Sequence, residues 1–458
     1  MSLMLERAIG SANSLLVLAF IALLVLIPDA YRWVAVAGLG VLGVAAATAR
    51  GSQYQRLDRD DAWFCLALIV YGVIWLADVW RSGHWPMVHG AGPRLLPLWP
   101  LLAALLLVGL RCYPPNPRML WWGVGVGALG VGAVALYERF LLGLERASNG
   151  INAIPFGNLS LLLGSLAALA VLWCWRHRSF HYAILMVLAM LAAVFGLLAS
   201  LLSGTRGGWV ALPFVMLLVY RAARDLLPRR YLRLGAGCLT VVVLAVAILP
   251  QSGVGERLGH ISEDAHRYWQ QGRAGNSLGM RLELWRAGAI MVSEKPLFGY
   301  GERHTELGLR ELAEAGRVYD RVIIHVQLHN EAIDTAARRG LLGVASLLLL
   351  YVIPFGLFWK KLRRAGRRTD LQLLAVAGMM VPLAFFTFGL TQSMLRDLRG
   401  LSGYLGLCVV CWAALRAREE ALQSAHLGSC GLHPSANIED DEDSSFVRVQ
   451  GADHERSQ

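Results

Sequence analysis

Blocks of 15 to 22 consecutive apolar residues recur along most of this 458-residue chain. A helix needs about 20 such residues, at 1.5 Å each, to cross the hydrocarbon core of a bilayer. Only helices and closed barrels satisfy every backbone polar group in lipid, and these runs are continuously apolar instead of alternating with period two. The blocks predict an all-α fold, a polytopic membrane protein. Composition enters as support: 56% of residues are hydrophobic and 16% are charged, where soluble domains carry about a quarter charged. That leaves too little polar surface for a soluble enzyme, and too much apolar surface for a disordered chain.

About twelve transmembrane helices are expected, near 12–28, 31–49, 62–80, 95–110, 119–142, 156–175, 182–202, 207–220, 234–249, 341–359, 371–390 and 400–415. The formal net charge of +11 would suggest nucleic acid in a soluble protein. Here the charge sorts by loop instead, so no nucleic-acid partner is expected. One set of loops, with Arg7, Arg416 and Arg418 beside the first and last spans, holds 21 Lys and Arg. The opposite set holds eight: Arg32, Arg81, Arg94, Arg139, Arg146, Arg206, Arg396 and Arg399. The positive-inside rule puts the richer set, and both termini, on the cytoplasmic side. The first block reads as a retained start-transfer helix, since it lacks a small-x-small cleavage site and a second block follows it closely. Cys408 and Cys411 fall in an apolar span and read as buried small hydrophobes.

One loop breaks the pattern of short connections. Residues 250–340 form an outer segment between spans nine and ten, with 12 basic and 12 acidic residues. Its charge balance, with Trp and Leu, predicts a folded unit, and long loops commonly carry function. The organisation is then spans one to nine (1–249), the loop domain (250–340), spans ten to twelve (341–415) and a disordered cytoplasmic tail (416–458). Within the loop, 277–294 reads as a helix with Ser277 at its N-cap. Leu282, Trp285, Ala289 and Val292 would form its apolar stripe. A second helix is expected from about 328 into span ten.

Three clusters carry chemistry. Ser203-Gly204-Thr205-Arg206-Gly207-Gly208 sets an arginine at the outer membrane boundary among glycines that permit a tight turn and a close ligand. A helix begins there, and its N-terminus favours an anion. Arg281 shares a helix face with Trp285, four residues on, and borders the apolar stripe. Arg286, five residues from Arg281, points about 140° away at ~100° per residue and is the weaker candidate from this helix. His329-Asn330 precedes span ten. A histidine titrates near neutrality and accepts a proton from a hydroxyl. His325 lies one turn earlier, yet HExxH and a clear third ligand are missing, so no metal or other cofactor is expected. Arg396 and Arg399, between the last two spans, are candidates for phosphate or headgroup contact.

In combination these motifs resemble the bacterial O-antigen ligase family, within the wider ligase–polymerase group. The resemblance rests on SGTRGG with Arg206 and on Arg281…Trp285 followed by Lys295-Pro296-Leu297-Phe298-Gly299-Tyr300-Gly301. It rests also on His329-Asn330 followed by Arg339-Gly340-Leu341-Leu342-Gly343. It covers about 200–345, and the rest by topology. Many members carry a second histidine two residues before the HN pair; here that position is Gln327, and His325 is out of register for the role. The resemblance implies an enzyme of the bacterial inner membrane with a periplasmic active site. It would move a glycan from undecaprenyl pyrophosphate to a lipid A–core sugar, amid membrane lipids. His329 would be the general base. Arg206 and Arg281 would stabilise the departing pyrophosphate without a metal, and the anomeric centre would invert. Trp285, Asn330, Arg286, Arg396 and Arg399 would add substrate contacts. An O-antigen polymerase or a protein O-oligosaccharyltransferase would use the same donor. A twelve-span transporter is disfavoured, because the long loop is outside and not between spans six and seven.

Overall fold

The computed structural model describes residues 3–48, 57–88, 91–93, 95–177, 179–235, 237 and 277–430. The described residues form thirteen α-helices, numbered in chain order. The first eight are α1 (Leu3–Leu23), α2 (Ala30–Thr48), α3 (Arg59–Ser82), α4 (Trp99–Cys112), α5 (Arg118–Leu136), α6 (Ala153–Arg176), α7 (Phe180–Leu202) and α8 (Leu212–Ala223). The loop domain contributes α9 (Ser277–Glu294) and α10 (Glu302–Glu314), and the last three are α11 (Glu331–Arg364), α12 (Thr369–Gly389) and α13 (Leu398–Cys430). A two-stranded antiparallel ribbon, Met87–Val88 against Ala91–Pro93, follows α3.

The all-helical expectation holds. Nine described helices are long and apolar enough to cross a membrane, and Leu96–Cys112 and Gly207–Ala223 are shorter apolar helices. The expected ninth span, 234–249, lies almost wholly outside the described residues. The first helix starts at Leu3, earlier than its apolar block, and ends at Leu23. The expected disordered tail is corrected over its first part: α13 continues as helix through Cys430. The chain forms two compact units, Met1–Glu419 and Glu420–Gln458, and helical residues 420–430 are the described part of the second.

Within the first unit, α6 and α12 are buried along most of their length, while α1, α2 and α7 leave broad apolar faces exposed. Such exposed faces suit lipid contact, since lipid tails are as apolar as the side chains. Capping sets some ends: Asp58 accepts from the backbone N–H of Asp60 and Asp61 to start α3, and Asp61 returns the bond to Asp58, a capping box.

The loop segment has its own core. Leu284, Ala287 and Met291 of α9 pack with Leu309, Leu312, Val318, Val322, Leu328 and Ala337. The expected stripe on α9 is therefore corrected. The inward residues Leu284, Gly288 and Met291 are displaced by one residue, ~100°, from the predicted set, and Ala289 is exposed. Gly288 explains the miss. It contributes no hydrophobicity, yet its bare Cα admits Ile333 and Leu328; an added Cβ would lie 2.4 Å from Ile333 Cγ2.

A second close approach joins two motifs. Helix α11 breaks at Gly340, where φ is 62° and ψ is −159°, a conformation open essentially to glycine. Pro296 to Gly301 run alongside the break. Tyr300 and Gly301 donate to the carbonyls of Ala337 and Arg338, both at 2.8 Å, and Leu341 donates to Pro296 at 2.8 Å. Backbone groups freed by the kink are thus satisfied from outside the helix. Gly299, φ 65°, faces the Arg338 backbone at a distance no Cβ would tolerate. The KPLFGYG and RGLLG motifs are two halves of one backbone clasp.

Candidate functional site

His329 is the centre of the candidate site, and its backbone is strained: φ is 51°, left-handed, where non-glycine residues rarely sit. Both neighbours hold it there. Leu328 is fully buried, and its N–H donates to Asp334 Oδ1 at 2.9 Å. Asn330 is the N-cap of α11; its Oδ1 accepts from Ala332 and Ile333 at 3.0 and 3.1 Å. The cap is a structural task for Asn330, which was expected to touch substrate; its Nδ2 also donates to the Leu390 carbonyl at 3.3 Å. The second helix starts at Glu331, so His325 and His329 do not lie on a helix as expected. His325 ends a 3-10 turn in extended backbone. The loop nevertheless brings the two rings together, with centroids 5.3 Å apart and His329 Nε2 3.4 Å from His325 Nδ1. Sequence register had set His325 aside.

The other ring nitrogen, Nδ1, is 2.7 Å from Gln392 Oε1, and the Gln392 amide nitrogen donates to Gln327 Oε1 at 3.1 Å. Gln392 escaped the sequence reading. Its one signal is a Thr-Gln-Ser step at the end of an apolar span, where polar residues are costly and often functional. Burial chiefly lowers the His329 pKa; the Gln392 bond works against this, and the positive charge of Arg281 adds to it. Burial lowers the His325 pKa as well, helped by His329. Both rings are held toward the neutral form, which a general base requires.

Arg281 lies on α9 two turns from Gly288, within ~20° of the same face, so it shares the side of α9 that meets Leu328 and Ile333. It is half-buried, no carboxylate pairs with it among the described residues, and burial lowers its pKa. Glu283 and Glu294 are engaged elsewhere: Glu283 accepts from the Tyr319 N–H at 2.7 Å, and Glu294 meets Tyr300 and Arg317. Arg286 points outward as expected, with a 59% exposed side chain 3.6 Å from Glu283. Trp285 is half-buried, and its Nε1 has no hydrogen-bond partner among the described residues.

Arg206 is half-buried at the N-cap of the 3-10 turn Gly207–Ala211, which leads into α8. The SGTRGG loop is fastened from several sides. Thr205 Oγ1 donates to the Ala153 carbonyl at 2.8 Å, and Arg146 Nε donates to the Ser203 carbonyl at 2.7 Å. Gly204 turns with φ 65°. A Cβ on Gly207 would sit 2.3 Å from Thr391 Oγ1, and one on Gly208 2.1 Å from Asn158 Oδ1. The backbone beside Arg206 thus lies against Thr391, the neighbour of Gln392.

Arg396 and Arg399 are both buried, in different surroundings. Arg396 is buried and donates to both oxygens of Glu302, at 3.1 and 2.8 Å. Glu302 also takes Arg338 Nη1 at 3.2 Å and Trp75 Nε1 at 2.8 Å, and Asp334 Oδ2 receives Arg338 Nε at 3.2 Å. Burial alone would raise the Glu302 carboxyl, but Arg396, Arg338 and Arg339 overcome it and hold the pKa at about 2. The same pairing raises the Arg396 pKa against burial. Two carboxylates and two guanidiniums balance, so this cluster fastens α10 to α3, α11 and the loop before α13, and Arg396 is committed to it. Arg399 is 6% exposed, stacks 5.7 Å from the Tyr31 ring, and lines a separate cavity of about 460 Å³ with Arg32, Asn152 and Asp397. Glu302 and Arg338 were invisible to motif reading, since burial and partners only appear once the loop domain docks.

Comparison with known proteins agrees with the motifs. The family model described as O-Antigen ligase matches residues 191–348. An uncharacterized protein of Haemophilus influenzae is 24% identical over 319 residues, 68% of this chain and 77% of that protein. A protein of Escherichia coli K12 named O-antigen ligase is 24% identical over 234 residues, 50% of this chain and 54% of its own length. The matched segment runs from α7 to α11 and contains Arg206, Arg281 and His329. Residues 191–348 are thus similar to the O-antigen ligase family.

Proposed function

We propose that this chain is an O-antigen ligase-type glycosyltransferase of the bacterial inner membrane, acting on the periplasmic face. The donor is a glycan on undecaprenyl pyrophosphate, and the acceptor is a sugar hydroxyl of lipid A–core. The observation that supports this reading is a strained His329, its pKa lowered by burial, beside an Arg281 that no described carboxylate pairs, at one end of an apolar bundle whose match to the O-Antigen ligase family model points to glycan ligase or polymerase chemistry.

The acceptor oxygen attacks the anomeric carbon as its proton passes to His329 Nε2. The bond from that carbon to the pyrophosphate oxygen breaks, and the pyrophosphate leaves with the electron pair. Attack opposite the leaving group inverts the anomeric centre. Arg281 and Arg206 receive the charge that develops on the phosphates. A guanidinium suits that task because it stays charged and donates two parallel hydrogen bonds. The chemistry calls on no metal. Both termini are cytoplasmic in this reading, following the loop charges.

The test is transfer by purified protein in nanodiscs supplied with both substrates. His329→Ala abolishes transfer while donor binding persists; full transfer by that variant refutes the assignment. A deletion strain that loses all long-chain lipopolysaccharide bands supports a ligase, and a single-repeat band supports a polymerase instead.

A further inference from the structure

We propose that Gln392 is a positioning residue that fixes the ring tautomer of His329, placing the proton on Nδ1 and leaving the lone pair on Nε2. Gln392 is 2% exposed, and its side-chain carbonyl oxygen lies 2.7 Å from His329 Nδ1. A carbonyl oxygen only accepts, so Nδ1 must donate, and a neutral imidazole has one N–H to give. The orientation of the Gln392 amide is set in turn by Gln327, whose Oε1 accepts from Gln392 Nε2 at 3.1 Å. With Gln327 Oε1 facing it, turning the Gln392 amide over would set two carbonyl oxygens against each other. The chain of donors thus runs one way, from His329 to Gln392 to Gln327.

Among the described residues the opposite nitrogen has no such tight partner. Nε2 is 3.4 Å from His325 Nδ1, a long contact that an acceptor hydroxyl can displace. Left-handed backbone at His329, pinned by Leu328 and Asn330, adds a fixed Cα–Cβ direction to the fixed ring. The ionisable groups facing the ring are His325 from the same loop, Arg281 from α9 and Asp334 from α11. Gln392 is neutral, so it orients the ring without adding the counter-charge that a carboxylate would bring. That distinction gives the idea its measurable signature. The catalytic meaning of the tautomer rests on the base role proposed for His329, whereas the tautomer itself does not.

The experiment uses the full chain in nanodiscs with nitrogen-15 labelled histidine. The His329 signals are identified by their loss in His329→Ala. Wild type is expected to show one neutral form protonated at Nδ1, and Gln392→Leu a mixture of both forms. Gln392→Glu should raise the pH at which His329 protonates by about one unit or more, as a charge-assisted bond replaces a neutral one. The acid limb of the pH–rate profile should move up by the same amount, with kcat changed more than KM. Gln327→Leu, one bond further out, should partly mix the tautomers and serves if the Gln392 variants fail to fold. A wild-type ring protonated at Nε2, or an unmoved midpoint in Gln392→Glu, overturns the proposal. A locked tautomer that Gln392→Leu unlocks, in a protein that transfers no glycan, upholds this inference and defeats the proposed function.

Discussion

Arg281 and Arg286 sit five residues apart on one helix, and exchanging each for alanine separates the proposed donor site from general charge. Arg281 faces the side of α9 that packs on Leu328 and Ile333, and no described carboxylate competes for it. A hydrogen bond to a charged partner contributes about 1.5–3 kcal/mol, so Arg281→Ala should lower kcat/KM for the lipid-pyrophosphate donor roughly ten- to hundredfold. Arg286 is 59% exposed and only approaches Glu283, at 3.6 Å. Exposed pairs contribute about 0–1 kcal/mol, and Arg286→Ala should leave transfer within about twofold. A second readout follows from His329. Burial is the main force lowering its pKa, and Arg281 adds to that force. Removing Arg281 raises the pKa, and because the neutral ring is the active base, the acid limb should move to higher pH. The assay is donor-dependent transfer in nanodiscs across a pH series. Normal donor use in Arg281→Ala alongside impaired Arg286→Ala would show that the inward face of α9 has been misjudged.

Other outcomes follow from the same geometry. In wild type the acid limb should fall below the ordinary histidine value of 6.5, since burial and Arg281 disfavour the imidazolium; a limb above that value contradicts the environment described. Glu302→Gln leaves Arg396 and Arg338 buried with one partner fewer, and breaking such a pair costs about 3–5 kcal/mol, read as a lower thermal midpoint in detergent. The Glu302 carboxyl has its pKa depressed to about 2 from 4.5, so its contribution to stability is present above pH 4.5 and lost as pH falls through about 2. Gly340→Ala would put a Cβ 2.3 Å from the Leu297 carbonyl carbon at a φ of 62°. It should cost about 3 kcal/mol or more, measured in the same melt.

Membrane character and most helices were legible in the sequence, because a bilayer demands long apolar runs whatever the neighbours do. Helix α9 spans Ser277–Glu294, the residues its pattern marked. Its buried face was off by one residue, because Gly288 packs through the absence of a side chain, which no hydrophobic pattern records. The motif residues were visible, but their division of labour was not. Arg396 looked like a free outer arginine until Glu302, 94 residues earlier, met it at 2.8 Å. Asn330 also caps α11, a task its motif position did not reveal. Gln392 and Gln327 are 65 positions apart and meet only when the loop before α13 folds over the start of α11.

From the chain alone, then, came everything set by a local or one-dimensional rule: apolar length, loop charge, the motif set, and the candidates Arg206, Arg281 and His329. Tertiary structure decided what depends on which distant groups become neighbours. It paired the two histidines off any helix, turned Arg281 inward, buried Arg396 in an ion cluster and set Gln392 against His329. The physical reason is that hydrogen bonds and ion pairs act over a few ångströms of space, and separation along the chain says nothing about that distance until the helices pack.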